Sequence, residues 1–238
     1  MATFAVDGLA GLQEALEAHR DPAKAIAMAA YMRGKFPFLG IATPKRRRLT
    51  AAAFAGLPPP GEGELGELLG HLWERPEREY QYAGCDLAAR HVARCGAGFL
   101  DTTRTLITTK SWWDTVDALA SSVAGPLVAR YPAGHAVMDE WIASDNLWLA
   151  RSAILHQLRC KQRTDAGRLF RYCELRLPDE DFFIRKAIGW ALRDYSKTDG
   201  EAVRAFVAAH PGLSPLSRRE ALLWLEGGRK GRVAGRQS

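Results

Sequence analysis

The side chains with most chemical potential in this 238-residue chain are a tryptophan and a carboxylate four residues apart, Trp113 and Asp117. That spacing makes them neighbours on one helix face. Spacing alone selects nothing, because Trp141/Asp145 and Trp190/Asp194 repeat it. The surroundings separate the first pair from the others, since its expected face also carries Arg151, Arg159, Arg185, Lys186, Trp190 and Arg193. A carboxylate held among aromatic rings can stabilise positive charge that develops in a transition state, such as an oxocarbenium ion. An acid ringed by arginines is also how a structural ion pair looks, and residue types leave both readings open. Asp114 has a sufficient local role, as N3 of a helix capped by Ser111. Tyr31 ends a helix just before a loop, a usual place for a packing tyrosine.

Those residues must be positioned by helices, because the apolar periodicity is helical almost throughout and no stretch alternates cleanly. Asp21-Pro22 reads as N-cap and first-turn proline of a helix reaching about Met32, and Ser214-Pro215 repeats the device. Residues 35–41 and Pro58 to Pro60 read as loops. The organising feature is a repeat: Ala83, Ala118, Ala153, Ala187 and Ala221 follow at intervals of 35, 35, 34 and 34 residues, each inside an amphipathic stretch. Arg151, Arg185 and Arg219 precede the alanine by two, and Trp190 and Trp224 follow it by three. Such a period predicts an all-α superhelical solenoid of helix pairs, HEAT-like in style, in which each unit buries its apolar face on its neighbours.

Counting 100° per residue from the repeated alanine gives a common wheel. Leu119, Val123, Ile154, Leu158, Ile188 and Leu192 point inward. The opposite side carries Trp113, Asp117, Arg151, Ser152, His156, Arg159, Arg185, Lys186, Trp190 and Arg193, with Trp148 at the same register as Trp113. Trp73, Trp141 and Trp224 read as core or packing between repeats. Aromatics interleaved with cations on one face of a solenoid suit a nucleic-acid backbone, with the arginine row tracking phosphates.

Composition sets the outer limits. Hydrophobic residues are 47% and charged residues 25%, which excludes wholesale disorder. No run approaches a membrane span, and Asp7 with no preceding basic residue argues against a secretory signal. Cys85, Cys95, Cys160 and Cys173 form no C-x-x-C pair, so reduced, mostly buried thiols and no metal are expected. Neither a phosphate-cradling glycine loop nor a G-x-S-x-G elbow occurs. The net charge is 33 − 27 = +6. Four of those charges, Arg229, Lys230, Arg232 and Arg236, fall in an acid-free stretch, 227–238, expected to be a disordered basic tail beyond a single repeat domain over 1–226.

Four segments carry a family likeness: AYMRGKFPFLGIATPKRR (30–47), LITTKSWWDTVD (106–117), WIASDNLWLARSAILHQLR (141–159) and FFIRKAIGWALRDYSKT (182–198). The chain, from about residue 20 to 226, resembles the AlkD family of bacterial alkylpurine DNA glycosylases. The resemblance implies HEAT-like repeats whose concave basic face holds duplex DNA. It also implies hydrolysis of the N-glycosidic bond of cationic N3- and N7-alkylated purines without base flipping, by a monofunctional enzyme that needs no metal or other cofactor. Matched by motif, Asp117 corresponds to the catalytic acid, Trp113 and Trp190 to tryptophans of the catalytic cleft, Tyr31 to a cleft tyrosine and Arg151 to a contact with the DNA backbone. A monomer in the cytoplasm, associated with the nucleoid, is the accompanying expectation. A non-catalytic solenoid that binds distorted or branched DNA, and a protein-interaction scaffold, are the alternatives from other classes.

Overall fold

Helix starts fall where capping chemistry places them. The Asp21 carboxylate accepts from the Lys24 N–H at 3.1 Å and Pro22 follows as the first helical residue. Asn146, Asp165, Asp181 and Asp199 cap later helices in the same way. Ser214 accepts from the Ser217 N–H at 3.1 Å, just ahead of Pro215. The computed structural model describes residues 3–234, and no strand occurs among them. The chain is all-α, as its periodicity predicts, and divides into two compact units, Met1–Ser111 and Trp112–Ser238.

The first unit comprises α1 (Phe4–Glu17), α2 (Pro22–Tyr31), α3 (Thr43–Ala53), α4 (Glu62–Glu74), α5 (Arg78–His91) and α6 (Phe99–Thr108). Its core gathers Leu12 and Leu16 of α1 with Leu65, Leu68, Leu69 and Leu72 of α4 and Ala83 of α5. The loop after α2 is held by one acid. Glu79, fully buried, accepts the N–H groups of Leu39, Gly40 and Ile41 at 2.9, 2.9 and 3.0 Å. Gly40 adopts φ +88°, and a Cβ there would lie 2.0 Å from the Asp21 carbonyl oxygen, so only glycine fits.

The second unit comprises α7 (Trp113–Leu119), α8 (Gly125–Arg130), α9 (Gly134–Ala143), α10 (Leu147–Leu155), α11 (Ala166–Leu175), α12 (Phe182–Tyr195), α13 (Gly200–Ala209) and α14 (Pro215–Ala234). A π-helical turn over Ala120–Ala124 makes α7 and α8 continuous. The repeated alanines fall on α5, α7, α10, α12 and α14, every second helix once α7 and α8 are taken together. All but Ala118 are fully buried. The period recurs in the hydrogen bonds that tie one helix to the next: Trp73 Nε1–H to the Leu106 carbonyl, and Arg176 Nε–H to the Ile142 carbonyl.

Two expectations require correction. Ser111 does not cap α7, for its hydroxyl donates to the Ile107 carbonyl and the N-cap is Trp112, with no side-chain cap. Trp224 is 57% exposed rather than core, because no described helix follows α14 to cover that side. The stretch 227–238, expected to be a disordered basic tail, begins within α14, which runs to Ala234. Residues 235–238 of that tail lie outside the described residues.

Candidate catalytic site

Asp117 sits on the last turn of α7, and the local sequence explains the geometry around it. Pro126 has no N–H, and in an ordinary helix its ring would strike the carbonyl four residues back. The helix widens instead: the Gly125 N–H reaches the Ala120 carbonyl five residues back, which is the π turn. The Ser121 hydroxyl donates to the Asp117 carbonyl at 2.8 Å and accepts from Arg159 Nη2 at 2.9 Å. Gly125 is obligatory, since a Cβ there would lie 2.1 Å from the His156 carbonyl oxygen at the end of α10. Such π turns recur at functional positions.

The carboxylate itself is gripped by Arg151 of α10. Nε–H donates to Oδ1 and Nη2–H to Oδ2, both at 2.7 Å, a bidentate fork. The third edge of the guanidinium donates to the Phe183 carbonyl of α12. Arg151 is 1% exposed, whereas the Asp117 side chain retains 20% of its surface. Burial raises the Asp117 carboxyl above the usual aspartate value, and the Arg151 guanidinium opposes that rise without cancelling it.

Aromatic rings wall the pair. Arg151 lies 5.5 Å from the Trp190 ring and 5.9 Å from Phe183. Phe183 packs with Trp112 and Trp148 at centroid separations of 5.0 and 5.1 Å. Trp113, the first residue of α7, is half-buried one turn before Asp117.

The structure therefore brings Asp117, Arg151 and Trp190 together, and it redistributes the other candidates. The wheel puts Arg151, Ser152 and His156 on its outward side, but all three are buried. A wheel assumes one covered stripe, whereas α10 packs against α7, α9, α11 and α12. Arg151 directs its guanidinium to protein acceptors, the Asp117 carboxylate and the Phe183 carbonyl. Lys186 and Arg193 of α12 are half-buried and both bridge Glu220 of α14, at 2.7 and 2.9 Å. Arg185 is half-buried, with Nε–H on the Asp179 carbonyl at 3.0 Å. Arg159 is exposed. Tyr31, at the end of α2 in the first unit, is 72% exposed.

Glu220 is the residue that sequence reasoning missed. It stands one before Ala221, as Asp117 stands one before Ala118, so the repeat register already marked it. All four cysteines are thiols, three buried and Cys160 partly so. Among the described residues, no group of three or more His, Cys, Asp or Glu side chains could hold a metal ion. No helix among them is long and apolar enough to cross a membrane.

Comparison with known proteins adds two findings. A family model described as DNA alkylation repair enzyme matches residues 12–225. A solved structure described as a predicted DNA alkylation repair enzyme from Enterococcus faecalis superposes with a TM-score of 0.76 at 32% identity, covering 87% of this chain and 97% of that one. No protein of curated function matches the sequence. The family match spans the helices that carry Asp117, Arg151 and Trp190, and the chain belongs to the DNA alkylation repair enzyme family.

Proposed function

We propose that this protein is a DNA glycosylase that hydrolyses the N-glycosidic bond of N3- and N7-alkylated purines in duplex DNA and leaves an abasic site. The observation that carries the reading is Asp117, a partly exposed carboxylate oriented bidentately by a buried arginine whose guanidinium also lies against Trp190. An alkylated N3 or N7 makes the purine a cationic leaving group, so it departs as a neutral base with little help from an acid. The C1′–N bond breaks with its electron pair going to the base, and positive charge develops on the deoxyribose. Asp117 stabilises that charge and orients a water towards C1′, whose proton passes to the carboxylate or to solvent.

Each Asp117 oxygen retains a lone pair beyond the one that Arg151 occupies, so the fork fixes the acid without consuming it. Trp113 and Trp190 offer π faces to the cationic sugar and base, worth about 0.5–2 kcal/mol each. In this reading Arg151 positions Asp117, while exposed Arg159, with Arg185, takes the phosphate role that sequence alone assigned to Arg151. The lesion stays stacked and is approached from the backbone side.

The test is a duplex with a single 7-methylguanine incubated with the protein and scored for abasic sites. Product is expected, and Asp117→Asn should lower its rate by about a hundredfold or more. Equal product from both proteins overturns the mechanism. The neutralised Asp117–Arg151 pair is the observation that favours a second reading, a non-catalytic protein for distorted or branched DNA, which predicts binding without product.

A further inference from the structure

Resting on the reading above that the substrate is DNA, we propose that a cavity beside the π turn is a phosphate subsite. It takes a phosphodiester of the strand whose sugar faces Asp117.

The cavity, of about 400 Å³, lies between α8 and the connection from α10 to α11. That volume falls within the range of about 300–1,000 Å³ usual for ligand sites. Ser121, Arg130, His156, Arg159, Cys160 and Arg163 supply its polar lining, and no acid lines it. On the α8 side Gly125 and Ala129 take up little room. The connection is built to hold its shape. The Gln157 amide donates to the Asp165 carbonyl at 3.2 Å and accepts the Asp165 N–H at 2.7 Å. Arg159 and Lys161, neither a glycine, stand in the left-handed region at φ +69° and +52°. Such backbone persists only where its surroundings hold it. Here the Asp194 carboxylate of α12 accepts the Arg159 N–H at 2.6 Å. The side chain then crosses to the π turn, where Nη2–H meets the Ser121 and Ser122 hydroxyls at 2.9 and 3.5 Å. A 3-10 turn over Lys161–Arg163 brings exposed Arg163 to the same cavity. Arg130, the last residue of α8, lies over the Tyr131 ring at 4.8 Å.

Hydroxyls satisfy Arg159 without neutralising it, and a guanidinium has five N–H donors to place. Elsewhere in this unit cations meet carboxylates: Arg151 on Asp117, Arg168 and Arg171 on Asp139, Lys186 and Arg193 on Glu220. Asp165 lines an adjoining cavity of about 270 Å³, but it caps α11 and pairs with Arg168 at 3.5 Å. An arginine cavity with no acid in its lining favours an anion, and forked guanidinium donors match phosphate oxygens. Position identifies which phosphate. The Ser121 hydroxyl that receives Arg159 itself donates to the Asp117 carbonyl, four residues back. Four residues rise about 6 Å along a helix, so a phosphate in the cavity and a sugar at Asp117 belong to one short stretch of strand. Holding that phosphate sets the register of the sugar against the acid.

The experiment reads binding to an undamaged duplex over several salt concentrations, with no excision required. Arg163→Ala should weaken binding and make the salt dependence shallower by about one unit, while Arg163→Lys keeps the charge and the slope. An unchanged slope in Arg163→Ala overturns the proposal. A second variant separates a cavity from a diffuse field. Ala129 is exposed and lines the cavity, so Ala129→Phe fills it without changing any charge. It should weaken binding and flatten the slope as Arg163→Ala does; full affinity with the cavity filled overturns the subsite. Should that variant not fold, Ala129→Leu is the smaller block and is judged by the same outcome. The source of the phosphate is read from the Arg163 Nε–H resonance in 1H–15N spectra, assigned by its loss in Arg163→Lys. Duplex should move it. A resonance that duplex leaves in place overturns the proposal, and one that inorganic phosphate alone moves assigns the cavity to a free anion instead. Should wild-type protein release no base from the 7-methylguanine duplex while these results hold, the glycosylase reading fails and the subsite stands. Release of base with unchanged slopes is the converse.

Discussion

Replacing Arg151 by methionine tests whether the acid at the centre of the site is held or merely neighboured. Methionine keeps the length and apolar stem of the arginine, so the cavity term is small. What disappears is the fork on Asp117 and the donor to the Phe183 carbonyl. Breaking a buried pair by removing one partner costs about 3–5 kcal/mol, and the residual exposure of Asp117 places this pair at the lower end. For a chain of this size, about 3 kcal/mol lowers Tm by roughly 6–12 °C. Asp117→Asn/Arg151→Met should cost less than the two single changes summed, because the second removal no longer strands a charge. A coupling of about 2 kcal/mol is expected in the double-mutant cycle. The assay is urea and thermal unfolding of the four proteins at neutral pH and 0.15 M salt, where screening erases most exposed pairs. A cost below about 1 kcal/mol with coupling near zero is the behaviour of an exposed pair and would refute the reasoning. DNA binding supplies a second check. If Arg151 stays on Asp117 in the complex, the salt slope is the same in wild type and Arg151→Met, and a slope shallower by about one returns the residue to the phosphate row.

Two further outcomes follow from buried groups away from the acid. Burial holds the His156 imidazole down at about 4, and its Nδ1–H donates to the Ala153 carbonyl at 2.7 Å. The folded value lies below the ordinary 6.5, so the unfolded chain takes up the proton first. This contribution is complete above about pH 6.5 and is lost as pH falls towards 4, about 3 kcal/mol in all. Urea midpoints between pH 7.5 and 4 should fall more steeply for wild type than for His156→Gln, and parallel profiles would count against it. In the first unit, Gly40→Ala must displace the Asp21 carbonyl as well as adopt φ +88°, whereas Gly34→Ala meets nothing within 4 Å at φ +67°. Gly40→Ala should cost at least about 2 kcal/mol and Gly34→Ala about 1, measured by chemical unfolding, and equal costs would remove the steric argument.

How far the sequence was legible depends on which quantity is asked of it. The alanine register found α5, α7, α10, α12 and α14, because a stacked repeat must place its smallest apolar residue where helices approach most closely. It also gave the direction of Asp117 and Trp190. It did not give depth. Arg151 and Arg219 share one register, yet the first is buried between α7 and α12 and the second is exposed on α14. A wheel records azimuth on one helix, and burial is decided by how many neighbours that helix has. Pairing was hidden for a related reason. Asp117 meets Arg151 and Glu220 meets Lys186 across 34 residues each, one repeat period, so acids cancel cations on the adjoining helix rather than on their own. Reading charge along single helices therefore overstated the cationic face. The field at the proposed site follows from the few cations whose side chains no acid one period away binds; Arg159, the most exposed of the candidate cations, gives its side chain to the Ser121 hydroxyl and only its backbone N–H to Asp194. That is why the salt slope of an Arg159 variant reports on DNA contact more directly than that of a residue whose charge is already paired with a carboxylate.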